Sequence, residues 1–149
     1  MKKSLLTTAI LCVFLVGCNS VKTKNSTADQ SGSLNGSWQL NYISGPRIAF
    51  DGLYPDKKPT INFDVKENRV SGNNSCNSYS GKLNVDGNKI SFKDSKMAST
   101  MMACPGQGEQ VFMSTLQKID TYSVSEDGKT LNFIMGDVAM MRFEKIRKE

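Results

Sequence analysis

Histidine is absent from all 149 residues. That removes the side chain whose ordinary pKa lies nearest neutrality, the Ser-His and Cys-His nucleophile pairs, and the commonest transition-metal ligand. The fourteen carboxylates are scattered over turns and strand faces and form no recognisable acid/base pair, so no enzymatic activity is expected. A basic block is missing as well. The formal charge of +5 falls to +3 without Lys2 and Lys3, and both signs are interspersed, so nucleic acid is not an expected partner. Nor does any apolar run reach the roughly 20 residues that a membrane-spanning helix requires.

The longest apolar run, Leu5 to Gly17, follows Lys2 and Lys3. A positive start and a short apolar run read as a signal peptide over residues 1–17. It ends in Leu15-Val16-Gly17-Cys18, which resembles a bacterial lipobox, so Cys18 is the expected acylation site and mature N-terminus. Cys12 reads as one more apolar residue of the run. Each buried CH₂ of an acyl chain contributes about 0.8 kcal/mol, so several chains would hold the protein stably on a membrane. Residues 18–35 are small and polar without a hydrophobic period, as expected of a flexible tether. Asn19 after the acylated cysteine resembles lipoproteins of the outer membrane, which points to the envelope of a Gram-negative bacterium.

Residues 36–149 then read as one domain. Its organising stretch is GNNSCNSYSG, Gly72 to Gly81, where two glycines able to take positive φ and three asparagines able to bond their own backbone predict a shaped loop between strands. Cys76 stands in this loop. Cys104 stands in a second irregular segment, TMMACPG, ahead of a predicted helix. A structural disulfide is the simplest reading of the pair in an oxidising envelope. A redox pair lacks the C-x-x-C spacing, and a zinc site would need two further carboxylates to which nothing in the spacing points.

Around these loops the alternation of apolar and polar residues predicts strands. Trp38, Leu40 and Tyr42 should face inward, as should Ile61, Phe63 and Val65. A tight turn at Glu67-Asn68 would set Val65 opposite Val70, and Asp86-Gly87 would set Leu83 opposite Ile90. Asp127-Gly128 would place Val124 opposite Leu131 and Tyr122 opposite Phe133, so turn and apolar pattern demand one register. For the last strand a two-residue Gly136-Asp137 turn opposes Leu131 to Arg142, whereas a three-residue loop opposes Leu131 to Met141 and Phe133 to Ala139. The second suits a core better. Between the hairpins, Glu109 to Ile119 carries Val111, Phe112, Thr115, Leu116 and Ile119 on one helical face. The expected fold class is α+β: a curled, barrel-like antiparallel sheet of about eight strands with one helix packed on it or closing it. Trp38 is expected in the core, and the methionines, including Met97, Met101, Met102, Met140 and Met141, are most simply gap-fillers there.

Gly72, then Cys76-Asn77-x-Tyr79-x-Gly81, then Thr100-Met101-Met102-Ala103-Cys104, resemble the two motifs of META/HslJ-type domains. Gly36-x-Trp38-x-Leu40 resembles that family's opening strand. Ser75 departs from the pattern, which commonly has a second glycine there. The resemblance implies a similar α+β fold and a heat-shock-associated bacterial lipoprotein with a role in envelope stress tolerance, without giving a mechanism; with no catalytic site expected, the domain should act through contacts with an envelope protein. It leaves open a carrier or pilot-type module that holds a lipid or other apolar ligand in the barrel. No cofactor is expected. A hollow interior would favour the carrier and a filled one the contact protein.

Overall fold

The computed structural model describes residues 33–93 and 95–147; the expected signal peptide, Cys18 and nearly all of the tether lie outside them. Ten strands and two short helices follow one another in these residues. In chain order they are β1 (Gly36–Ile43), α1 (Phe50–Leu53), β2 (Thr60–Asp64), β3 (Arg69–Asn73), β4 (Ser78–Lys82), β5 (Asn84–Asp86) and β6 (Lys89–Ser91). There follow β7 (Ala98–Ser99), α2 (Gly108–Leu116), β8 (Thr121–Val124), β9 (Thr130–Met135) and β10 (Val138–Lys145).

All ten strands form one antiparallel sheet, in the order β5-β6-β8-β9-β10-β1-β2-β3-β4-β7. Leu83 alone separates β4, near one end of that order, from β5 at the other end. One residue spans less than 4 Å, so the sheet has to curl until its ends meet. The Leu83 amide donates to the Asn68 carbonyl at 2.8 Å, which continues the β3–β4 ladder, and the Lys82 amide donates to the Ser95 carbonyl at 3.3 Å, which ties β4 to the segment after β6. The result is a half-barrel. It has ten strands, not about eight, because the break at Leu83 divides the segment read as one strand and because β7 adds a two-residue edge.

The interior is filled. Phe133 packs on Phe63, Phe92 and Phe143 with ring centroids 6.2, 5.5 and 5.0 Å away, and Trp38, Phe112 and Tyr122 are buried with them. Burying one such ring contributes about 2–3 kcal/mol. Leu34 is wholly buried and its carbonyl accepts the Trp38 indole N–H at 2.8 Å, so core packing begins two residues before the expected start at Gly36. The ammonium of Lys145 sits 4.2 Å from the Trp38 ring centre and donates to the Asn35 carbonyl, and its desolvation there lowers its pKa.

Bulges and turns decide the registers that alternation alone leaves open. The Asp127-Gly128 hairpin pairs Val124 with Leu131 and Tyr122 with Phe133, as the sequence predicts. At Gly136-Asp137 the two-residue turn forms, with Val138 opposite Met135, but the register then shifts between Ala139 and Met141. That bulge brings Met141 opposite Phe133 and Phe143 opposite Leu131, so neither expected pairing holds: the turn sets one register and burial of the aromatic face imposes another. A like irregularity between Leu40 and Tyr42 turns Tyr42 outward, 43% exposed, and sends Ile43 inward. The β2–β3 connection spans 65–68, with Asn68 at φ 49°, and pairs Phe63, not Val65, with Val70. The next turn falls on Gly87-Asn88, so Val85 opposes Ile90; the shift is by two residues, and Leu83 remains buried.

Candidate functional site

The loop between β3 and β4 meets the segment that leads into α2, and Cys76 and Cys104 are joined there with Cα atoms 6.0 Å apart. Asn77 is the centre of the junction. Its side chain is buried beside the cystine, where the amide oxygen accepts the Thr100 hydroxyl and the Met102 amide, each at 2.8 Å. The amide nitrogen faces three acceptors: the Met102 carbonyl at 3.2 Å, Cys104 Sγ at 3.1 Å and Glu109 Oε1 at 3.0 Å. One side chain thereby holds both edges of the 100–104 segment and the first turn of α2.

Asn74 completes the knot. Its Nδ2 donates to Glu109 Oε1 at 2.9 Å, and its Oδ1 accepts the amides of Asn77 at 2.7 Å and Cys76 at 3.2 Å. Short polar side chains that bond nearby backbone give the loop its shape without a sheet ladder. Asn73 does the same for the Ser75 amide at 3.0 Å. Glu109, half-buried, lies in the first turn of α2, where a negative charge suits the helix dipole. Among the described residues no lysine or arginine pairs with it; the one ion pair is Lys129–Asp127.

The glycines act otherwise than expected. Neither Gly72 nor Gly81 has positive φ. At Gly72 a Cβ would stand 2.1 Å from the Thr60 carbonyl and 2.6 Å from the Tyr79 hydroxyl, because Tyr79 lies across it and donates to Thr60 O at 2.9 Å. Burial pushes the Tyr79 phenol well above its usual pKa, so it stays a donor. Gly81 is close to the Ser95 carbonyl in the same way. Positive φ falls instead on Ser75, at 90°, the position where the motif commonly carries glycine.

Thr100 and Asn77 are thus brought together, with the Thr100 hydroxyl also accepting the Ser78 amide at 3.1 Å. Met101 is not part of the knot. Its side chain is 97% exposed and that of Met102 59%, so these two are surface residues, whereas Met97 packs on the core and Met141 is buried within it. Residues 98–103 are all exposed and uncharged, a strap pinned between β4 and the cystine. The sequence reading missed two members of the site. Asn74 looked like one turn residue among three, and Glu109 only like a favourable helix-start charge.

A cleft of about 440 Å³ lies beside the cystine, with Leu53, Tyr54, Pro55, Ser75, Met102 and Pro105 in its walls. An open groove of about 610 Å³ follows the seam at Leu83 and Val85, flanked by Lys82, Lys89 and Asp120. Both are surface features outside the filled interior.

Half-barrel, packed core and cystine-pinned strap define a small α+β domain. The META domain profile matches residues 30–147, and the chain belongs to that family. Among solved structures, an NMR structure of a protein from Burkholderia xenovorans is similar at 19% identity and TM-score 0.63, with 99% of this chain and all of that one covered. A DUF4847 family protein from Bacteroides vulgatus is similar at 11% identity and TM-score 0.49, over 78% of this chain and 96% of its own. The first likeness shows the fold. No curated protein matches.

Proposed function

We infer that the protein is a lipid-anchored lipoprotein of the cell envelope, held at the outer membrane through Cys18, whose META domain serves envelope stress tolerance through contacts with another envelope protein and not through catalysis. The strap carries this reading. Six consecutive uncharged residues, 98–103, stand exposed, and Asn77 and the cystine fix them before any partner arrives. A segment whose backbone is already held costs less entropy to order on binding than a mobile one, and adaptable methionines suit a contact surface. The filled interior speaks against a lipid carried within the barrel, since Phe133 and its three ring neighbours occupy the space that such a ligand needs.

The test has two arms in living cells. A photoreactive side chain at Met101 should crosslink to one envelope protein during heat stress, and Met101→Ser with Met102→Ser should abolish that product and lower survival. Cys18→Ser should release a folded domain from the membrane fraction. Full survival of the double serine variant would refute the contact surface; an unacylated mature N-terminus would refute the anchor.

A further inference from the structure

The sulfurs of Cys76 and Cys104 and a carboxylate oxygen of Glu109 all lie within 4.8 Å of one another, and all three residues are half-buried. We propose that reduction of this cystine creates a binding site for a thiophilic divalent cation of the zinc or cadmium class, with Cys76, Cys104 and Glu109 as its protein ligands.

The donor set suits such an ion. Zinc binds thiolate at about 2.3 Å and carboxylate at about 2.0–2.2 Å, and a site with three protein ligands leaves a fourth position for water. In a tetrahedral site the two sulfurs stand about 3.8 Å apart. The Cα atoms of the two cysteines are 6.0 Å apart, so side-chain rotation can bring the reduced sulfurs to that distance without moving the backbone.

The surroundings supply the outer partners that metal ligands ordinarily have. Asn77 Nδ2 donates to Cys104 Sγ and to Glu109 Oε1, and Asn74 Nδ2 donates to the same Oε1. The other carboxylate oxygen makes no hydrogen bond among the described residues and is available to a cation. Among the described residues no lysine or arginine forms an ion pair with Glu109.

The chemistry balances with a dithiol as reductant. Its two thiols give two electrons and two protons to the cystine, which becomes two thiols, and the reductant leaves as its own disulfide. Binding of the cation then releases both protons to solvent as the thiols become thiolates.

The test uses the full chain, reduced with a phosphine that is then removed, and titrated with cadmium ion. The Cys76→Ser, Cys104→Ser double variant, which retains Cys12 and Cys18, serves as blank. The reduced wild type should gain one equivalent of the ultraviolet thiolate-to-cadmium charge-transfer band above that blank, and the oxidised chain none. Glu109→Gln should weaken cadmium at least tenfold, as should Asn77→Ala, whose contribution is to orient the ligands. Near-ultraviolet circular dichroism of Trp38 reports folding throughout. If reduction alone loosens the domain, cadmium should restore the signal. No band above the blank, unchanged affinity in Glu109→Gln, or a loosened domain that cadmium leaves loosened would each overturn the proposal.

Discussion

Asn77→Asp exchanges an amide for a carboxylate of nearly the same shape, so its effect isolates the polarity of the knot. The oxygen that accepts from Thr100 and Met102 is retained. In place of Nδ2 comes an anionic oxygen aimed at Glu109 Oε1 from 3.0 Å and at the Met102 carbonyl from 3.2 Å. A hydrogen bond to a charged group contributes about 1.5–3 kcal/mol and a neutral one about 1, so losing both costs about 2.5–4 kcal/mol before any repulsion. Two carboxylates at that distance do not ionise together readily, and the pair holds a proton to higher pH in the folded state than in the unfolded one. Folded protein then binds more protons than unfolded protein above the usual carboxylate range. Stability of the variant therefore falls as pH rises from about 4 toward neutrality, and its deficit against wild type is smaller at pH 4 than at pH 7. Glu109→Gln in the same chain restores a donor opposite the new acceptor and should recover at least about 1 kcal/mol, read as the coupling of a double-mutant cycle. Urea unfolding of the four proteins at both pH values, followed by Trp38 fluorescence, measures all of this. A deficit under about 1 kcal/mol, a deficit independent of pH, or zero coupling to Glu109→Gln would refute the assignment of Asn77 as the donor that ties loop, strap and helix.

Ser75→Gly should raise stability by about 1 kcal/mol, because φ of 90° strains an L residue and not glycine; thermal melts would show a higher midpoint. Gly72→Ala should cost more than about 3 kcal/mol or prevent folding, since the 2.1 Å contact is with backbone, while Tyr79→Phe should cost only about 1 kcal/mol for the lost bond to Thr60; urea midpoints separate the two. Cys76→Ser, Cys104→Ser and their combination should each destabilise by roughly 3.5 kcal/mol, because each removes the same crosslink over 28 residues; a double variant markedly worse than either single one in a chemical melt would contradict this.

The sequence alone carried the family, the α+β class, the cystine and the helix face, for physical reasons visible in particular residues. Asp127-Gly128 and the apolar pattern around it agree on one register, and that hairpin forms as read. Phe112, Thr115, Leu116 and Ile119 recur at helical spacing and are buried. Other features follow from distances between segments remote in the chain, which periodicity does not contain. The bulges near Tyr42 and Met140 depend on which face the neighbouring strand must bury, so alternation misjudged the first and turn chemistry the second. Gly72 looked like a turn glycine and is instead a point where Tyr79 crosses the backbone. Met101 and Met102 have the composition of core residues, but the pairing of β7 with β4 and the bonds from Asn77 hold them outside. Glu109 acquires its neighbours only because the curled sheet brings the β3–β4 loop to the start of α2. Its place beside the cystine was decided by tertiary structure alone, since 32 residues of chain separate it from the Asn77 that holds it.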